Sequence, residues 1–271
     1  MNEITPRQFS SEDLLKKIQG QEIEPSINQI KRILSGMHPS EVAHSIESLP
    51  PKERKFLWSL IDTQNEGEII AELHDEIQQE LISDISPEEL ITIIRDLELD
   101  EIVDILQNLP HKKTENILSA MSKRDRQRIQ EALVYPEDSA GGLMNTDVIS
   151  VRPKHNLEVV MRYLRAQKEL PKNTDQIFVV SRENKYLGSL PISLIVVSDP
   201  TLNVRELMET ETQPLEVNIN DKDVSRLFEQ NDWVSAPVVD DQSRLIGRIT
   251  IDDVVDVIME DADQNFLGMA G

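Results

Sequence analysis

The chain has 271 residues, 38% hydrophobic and 29% charged, which suits a soluble protein of about two domains with ordinary apolar cores. Its 50 acidic and 28 basic residues leave a formal net charge of −22 at pH 7. That charge argues against nucleic acid or an anionic membrane surface as a direct partner, and it favours cations or basic protein surfaces. The lack of cysteine excludes disulfides, thiolate metal sites and a cysteine nucleophile, and it fits a cytoplasmic setting.

The N-terminal sequence predicts no signal peptide. Residues 1–15 lack a basic stretch followed by an apolar core. No apolar run approaches the roughly 20 residues that a membrane-spanning helix needs. The sequence therefore predicts a soluble chain.

Residues from about 25 to 133 predict short helices, because they lack strand alternation and are interrupted by prolines and capping residues. Two blocks of this region match at an offset of 60 residues. The matched pairs are Glu41 with Glu101, Val42 with Ile102, Ile46 with Leu106, Leu49-Pro50 with Leu109-Pro110, and Leu57 with Ile117. Antiparallel helix pairs that stack on their neighbours bury a shared seam, so the repeat predicts a small helical superhelix.

Two acids in the second block stand out. Asp100 and Asp104 are one helical turn apart on the predicted polar face, with Asp96 one turn earlier. Such a face is ordinarily solvated. It acquires a function only where it meets a second acidic surface.

After Pro136 the pattern becomes α/β and repeats itself. Each copy predicts a βαββα unit that is too small to bury both faces alone, so we expect the copies to pack together and to dimerise. The predicted elements are a β-like stretch up to Val151, a helix over 156–168 and strands over 177–180 and 186–192, and then a strand over 215–217, a helix over 221–230 and strands over 236–239 and 245–251. Gly188 and Gly247 occupy corresponding positions.

The segment 247–263 predicts one amphipathic helix, because its apolar residues recur at three- and four-residue steps. From Thr250 onward it carries acids and no Lys or Arg, and like charges one turn apart repel. The acids are Asp252, Asp253, Asp256, Glu260, Asp261 and Asp263. Such a helix loses stability unless a cation or a basic partner binds it. The ordinary alternative is a solvated face, in which Thr250 and Asp253 form a helix cap.

Each α/β copy resembles a CBS domain in its leading Leu-Met, its Val-Val strand, its hairpin and the Gly in its last strand. The junction from Tyr135 to Met144, with the sequence YPEDSAGGLM, resembles the linker of the MgtE family of magnesium channels and transporters. That linker joins a helical N domain to paired CBS domains. The segment Ile249 to Asp256 is the other specific feature. The resemblance covers the chain from about residue 25 onward.

This resemblance implies the cytosolic Mg²⁺-sensing region of a transporter, a homodimer through its CBS domains at the cytoplasmic face of the inner (cell) membrane. Mg²⁺ between acidic faces of the N domain, the CBS domains and the connecting plug helix would keep the pore closed. When Mg²⁺ falls, the carboxylates would repel one another and the pore would open. Mg²⁺ prefers oxygen ligands and keeps several waters, which suits several weak sites between opposed carboxylates. The transmembrane pore domain would be the partner, and the chain would end within or near the plug helix.

Carried over position by position, the resemblance assigns metal ligands in all three parts: Asp100 and Asp104 in the N domain, Asp232 in the second CBS copy, and Asp253, Asp256 and Asp261 on the plug-side helix. The chain departs from the family pattern at some acidic positions. Asn220 and Lys222 stand where the family has acids, with Asp221 and Asp223 shifted by one, and Gln264 and Asn265 replace acids further along. Some Mg²⁺ sites are then weakened or displaced, and we expect Glu229, Glu260 and Asp263 to compensate.

The alternative function is a soluble CBS-pair regulatory module that binds ATP or another adenine nucleotide. CBS pairs hold ribose hydroxyls through a Thr/Ser-x-x-Asp segment, which Thr250 and Asp253 match. The first copy has Pro191 and Leu194 at these positions, and neither side chain can make those hydrogen bonds. Trp233 could stack on a base or be a buried aromatic. The net charge opposes a triphosphate unless Mg²⁺ accompanies it.

The sequence predicts no enzyme. Its histidines, His38, His44, His74, His111 and His155, are scattered without metal-ligand spacing. No phosphate-binding loop, dinucleotide fingerprint or nucleophile motif occurs.

The predicted fold class is therefore α+β multidomain. An all-α superhelical N domain of short helices is predicted over 1–133, and it precedes a tandem pair of βαββα CBS domains. These are predicted over 134–203 and 204–258, with the start of a connecting, plug-like helix over 259–271.

Overall fold

The computed structural model describes residues 27–167 and 169–259. The chain divides into two compact units between Arg128 and Ile129. No helix among the described residues is long and apolar enough to cross a membrane.

The first unit is built of short helices, as predicted. They are α1 (Ile27–Leu34), α2 (Pro39–Glu47), α3 (Pro51–Trp58), α4 (Glu66–Ala71), α5 (Asp75–Ser83), α6 (Pro87–Ile94), α7 (Leu99–Gln107), α8 (His111–Ala120) and α9 (Lys123–Ala132), the last of which crosses the division. Pro39, Pro51 and Pro87 each open a helix, where a missing N–H leaves no bond unmade.

The internal repeat is confirmed by the helix bounds, because α2 and α7 begin and end 60 residues apart. The repeated glutamates form the same cap. The Glu41 carboxylate accepts the N–H of His38 at 3.1 Å, and the Glu101 carboxylate accepts the N–H of Glu98 at 2.6 Å. The repeated apolar positions are core residues: Ile46, Leu57, Leu106 and Ile117 are all at most 1% exposed.

The helices of the first unit pack closely. A Cβ added at Gly67 of α4 would lie 2.5 Å from the carbonyl oxygen of Ile93 in α6. Only glycine lets these two backbones approach so closely. The close packing explains how such short helices, which are marginal alone, form a stable layer.

The second unit contains two small mixed sheets with the same topology, and this confirms the α+β class. Its elements are α10 (Ala140–Leu143), β1 (Ser150–Val151), α11 (Leu157–Ala166), β2 (Gln176–Val180), β3 (Tyr186–Pro191), α12 (Ile192–Val197), α13 (Val204–Leu207), β4 (Leu215–Glu216), α14 (Asp221–Asn231), β5 (Ser235–Val239), β6 (Leu245–Thr250) and α15, whose described part is residues 251–259. The orders are β1-β2-β3 and β4-β5-β6, with the first pair parallel and the second antiparallel.

The two copies exchange their leading segments, which the sequence did not predict. Ala140 of α10 precedes the first sheet but donates its N–H to Ile219 at 2.8 Å and is buried with the second copy's core. Val204 of α13 precedes the second sheet but donates its N–H to His155 at 2.8 Å and is buried with the first copy's core. Each copy is therefore completed by residues that belong in sequence to the other.

The prediction of one helix over 247–263 is wrong at its start. Residues 245–250 form β6, in which Gly247 pairs with Val238 and Ile249 pairs with Ala236. Pairing with β5 satisfies backbone groups that a helix would otherwise have to satisfy, so the helix begins only at residue 251. Residues 260–271, with the predicted acids Glu260, Asp261 and Asp263, lie outside the described residues.

Candidate functional site

The first unit carries two of the predicted metal ligands on α7. Asp100 lies in its first turn, and Asp104 follows one turn later and is half-buried. The prediction of a solvated face is wrong for Asp100, which is only 6% exposed. Burying a carboxylate costs free energy unless other groups compensate the charge, so this position is not chosen for stability alone.

The second unit carries its predicted ligands around the start of α15. The Thr250 N–H and the Thr250 hydroxyl both donate to Asp253 Oδ2 at 3.0 Å, and the hydroxyl also donates to Asp252. Thr250 is 7% exposed, so these bonds are shielded from water. The predicted Thr250–Asp253 helix cap is confirmed, and it holds the Asp253 carboxylate at the first turn of the helix.

The other described acids of this unit lie on exposed surfaces. Asp256 is one turn further along α15, and Glu229 lies near the end of α14. Asp232 ends α14 in the left-handed conformation, with φ of 52°, which aspartate tolerates better than most residues. Asn220, which stands where the family has an acid, caps α14 by accepting the N–H of Lys222 at 3.2 Å.

These acids do not form a closed metal cage. Within residues 27–167 and 169–259, no three acidic or histidine side chains are arranged to hold one ion. Carboxylate oxygens are nevertheless the ligands that Mg²⁺ prefers, and Mg²⁺ commonly uses one or two of them with water. The donor set therefore fits a hydrated divalent cation shared with a further surface.

The first CBS copy offers different chemistry at the corresponding helix start. Pro191 precedes α12 and provides no side-chain cap. Leu194 takes the place of Asp253, so a hydrogen-bonded ribose could be held only at the second copy. Trp233 packs edge-on against Phe228, with ring centroids 5.7 Å apart, and is part of the core of the second copy.

Sequence reasoning missed a polar cluster beside this helix start. Arg248 of β6 is 4% exposed, and its guanidinium reaches the loop before β2, where Asn173 also contacts Asp252. The available signal was a charged residue inside an apolar strand, between Gly247 and Ile249. Its partners are more than 70 residues earlier in the chain, so no local pattern could identify them.

The fold and the acidic helix start define a regulatory CBS pair behind a helical domain, and comparison with known proteins agrees. The family model of the MgtE intracellular N domain matches residues 37–138, and that of the CBS domain matches residues 140–196 and 204–260. The chain belongs to the MgtE family of magnesium transporters, of which it represents the cytosolic N domain and CBS pair.

Two relatives illustrate the match. The chain is 32% identical to the magnesium transporter MgtE of Thermus thermophilus over 145 residues, which cover 54% of this chain and 32% of that protein. It is 25% identical to the magnesium transporter MgtE of Bacillus subtilis over 240 residues, which cover 89% of this chain and 53% of that protein. The chain thus spans about half or less of the length of these relatives.

Solved structures share the fold. The cytosolic domain of the Mg²⁺ channel MgtE in complex with ATP superposes with a TM-score of 0.79 at 27% identity, covering 91% of this chain and 99% of that one. The soluble part of a magnesium transporter superposes with a TM-score of 0.74 at 22% identity, covering 93% and 98%. The second likeness supports the fold alone.

Proposed function

We propose that this chain is the Mg²⁺-sensing regulatory region of a magnesium channel or transporter. The observation that carries the proposal is the start of α15, where Thr250 orients Asp253 beside Asp252 and one turn before Asp256. Carboxylates concentrated at one place in a chain of net charge −22 attract divalent cations. The relatives named as magnesium transporters supply the identity of the cation.

In the proposed mechanism, hydrated Mg²⁺ bridges acidic faces and releases them when its concentration falls. Asp100 and Asp104 would supply the N-domain face, Asp232 the CBS face, and Asp253 and Asp256 the helix face, with Asp261, Glu229 and Glu260 as further acids. Without Mg²⁺, two carboxylates about 4 Å apart repel by about 1 kcal/mol even in water. Several such pairs would favour an open arrangement, and this arrangement would open the pore.

Exposed apolar residues support a homodimer through the CBS pair. Val197 at the end of α12 is 78% exposed, and Met259 in α15 is 62% exposed. The two helices follow β3 and β6 at corresponding places, and Val196, Val255 and Ile258 extend the same apolar surface. A second copy would remove this surface from water. Light scattering after gel filtration should give a dimer, and Val197→Glu should shift it toward monomer.

Thermal melting tests the proposal directly. Mg²⁺ should raise the melting temperature well above the value in EDTA, and K⁺ at matched ionic strength should not, because a ligand of the folded state stabilises it. Asp253→Asn with Asp256→Asn should remove most of that shift. Asp241→Asn with Glu211→Gln is the matched control, since it removes two exposed acids of the same unit. Scattering then tests the switch: an identical radius of gyration in chelator and in millimolar Mg²⁺ would overturn it.

A nucleotide-binding module remains the second candidate, because a similar solved structure is described as a complex with ATP. The Thr250–Asp253 cap would hold the ribose, and Mg²⁺ would offset the charge of the phosphates. ATP should then raise the melting temperature in the same experiment, and Asp253→Asn should abolish the shift. A shift with ATP but none with Mg²⁺ alone would favour this candidate over the cation sensor.

A further inference from the structure

The α11–β2 loop of the first CBS copy is tied to the second copy by a buried arginine. Arg248 of β6 donates from Nη2 to the carbonyl of Lys172 at 2.5 Å and from Nη1 to the carbonyl of Asn173 at 3.4 Å. The residue is 4% exposed, and its Nε is buried without a hydrogen-bond partner. Both acceptors are neutral, so this contact orients the loop at a cost in desolvation.

Asn173 makes a second contact, which reaches the acidic helix. Its Nδ2 donates to Asp252 Oδ2 at 2.7 Å, and Asp252 also accepts the hydroxyl of Thr250. Asn173 has φ of 51°, a left-handed conformation that asparagine adopts more readily than most residues. The loop conformation therefore presents the amide to Asp252 and the carbonyl to Arg248 at once.

A third contact lies where the loop enters β2. Ser235 of β5 donates its hydroxyl to Asp175 Oδ1 at 2.5 Å, and Gln176 donates its amide to the Ser235 carbonyl at 2.9 Å. Residues 172–176 are thus held by β5, by β6 and by the start of α15. All three of these elements belong to the second copy.

The arrangement is one-sided although the two copies share a fold. Ser189 occupies the position of Arg248, one residue after the corresponding glycine. Its side chain is fully buried, and its Oγ has no hydrogen-bond partner. Asp232 occupies the position of Asn173 with nearly the same φ, 52°, so the backbone is repeated while the arginine contact is not.

We propose that residues 172–176 are a latch between the two CBS copies, with Arg248 as its positioning residue. The latch fixes the α11–β2 loop to the base of α15, the helix that carries Asp253 and Asp256. When it opens, the start of α15 becomes free to move relative to the first copy. The link to Mg²⁺ rests on the proposed function, whereas the latch itself does not.

Amide hydrogen exchange on the whole chain tests the latch. Arg248→Met keeps the length of the side chain but removes its donors, and it should speed exchange in peptides covering 171–177 by about tenfold. Asn173→Gly keeps the left-handed backbone and removes only the amide, so it should speed exchange severalfold. Arg244→Met is the matched control, because it removes an arginine of the same hairpin that pairs with Asp240 at the surface. Its exchange in 171–177 should match that of wild type.

The thermal melt separates a latch from a general loss of stability. Removing a buried charge held only by carbonyls should leave the melting temperature of Arg248→Met within a few degrees of wild type, while the loop opens. Unchanged exchange in 171–177 for both Arg248→Met and Asn173→Gly would overturn the latch. If Arg248→Met does not fold, the Asn173→Gly result decides alone.

A Mg²⁺ titration tests the coupling. Arg248→Met should need severalfold more Mg²⁺ than wild type for the half-maximal melting shift, although no proposed ligand has changed. A wild-type chain without any Mg²⁺ shift would contradict the proposed function and leave the exchange result standing. An unchanged titration midpoint together with faster loop exchange would overturn the coupling.

Discussion

Both units of this protein are internally duplicated, but the duplications preserve different things. In the first unit the copies share a helix cap at Glu41 and Glu101 and core positions such as Ile46 and Leu106. In the second unit the copies share sheet topology, yet Leu194 stands where the other copy has Asp253. Residues that make the fold are kept in both copies, whereas residues with a candidate function occur in one. The difference locates function in the second CBS copy more sharply than the fold alone does.

The largest expected effect compares the two corresponding glycines of the CBS copies. A Cβ at Gly188 would clash with the backbone carbonyl of Glu209, and its φ of 153° is rarely adopted by L-residues. A Cβ at Gly247 would meet the flexible side chain of Met144, with Sδ at 2.6 Å. Gly188→Ala should cost about 2–4 kcal/mol of unfolding free energy, and Gly247→Ala about 1 kcal/mol.

Urea denaturation measures this difference through Trp233 fluorescence in a Trp58→Phe background, since the chain has two tryptophans. Equal costs at the two glycines would mean that the close approach between Gly188 and Glu209 relaxes easily. In that case the exchanged segments would contribute equally to both copies.

Much of the fold could be predicted because its signals are local. The repeat at 60 residues predicted α2 and α7, and alternation predicted strands such as Ala236 to Val239 within one residue. The exchange of leading segments could not be predicted, because an apolar Leu-Met pair does not specify which sheet it covers. Periodicity also placed Asp100 on the polar face, where only the packed structure reveals its burial. The partner of Arg248 depends on how the copies pack, which no window of sequence contains.

The next effect tests the helix start that distinguishes the two CBS copies. Thr250→Val removes the hydroxyl that donates to Asp252 and Asp253, and it should cost about 1–2 kcal/mol. Thr250→Ser keeps the hydroxyl and should restore most of the loss. Ser193→Ala, at the matching place in the first copy, should change stability by less than about 0.5 kcal/mol. A similar loss at Ser193 in the same denaturation experiment would erase the distinction between the copies.

A smaller effect tests the sameness of the two helical repeats. Glu41→Ala and Glu101→Ala each remove one cap bond and should cost about 0.5–1 kcal/mol, with the larger value at the half-buried Glu101. The corresponding glutamine variants keep an acceptor and should cost little. Trp58 fluorescence in a Trp233→Phe background measures the first unit. A loss at only one of the two glutamates would show that the repeats share sequence without sharing energetics.

The smallest effect is a difference in the pH dependence of the two units. In the first unit, burial raises the pKa values of Glu66 and Glu72, so the folded state takes up protons more readily than the unfolded chain. In the second unit, hydrogen bonds from backbone N–H groups lower the pKa values of Glu183, Asp199 and Glu206.

The signs of the two contributions are therefore opposite. As pH falls from 7 toward the ordinary glutamate value of 4.5, the first unit should gain stability while these second-unit carboxylates contribute no change. Below that value, as pH falls toward their lowered pKa values, the second unit should lose stability. Melts read separately from Trp58 and Trp233 should diverge with acidification, and Glu66→Gln should reduce the rise of the Trp58 transition. Parallel curves for the two tryptophans would show that the burial of Glu66 and Glu72 does not matter energetically, because solvent screens both groups.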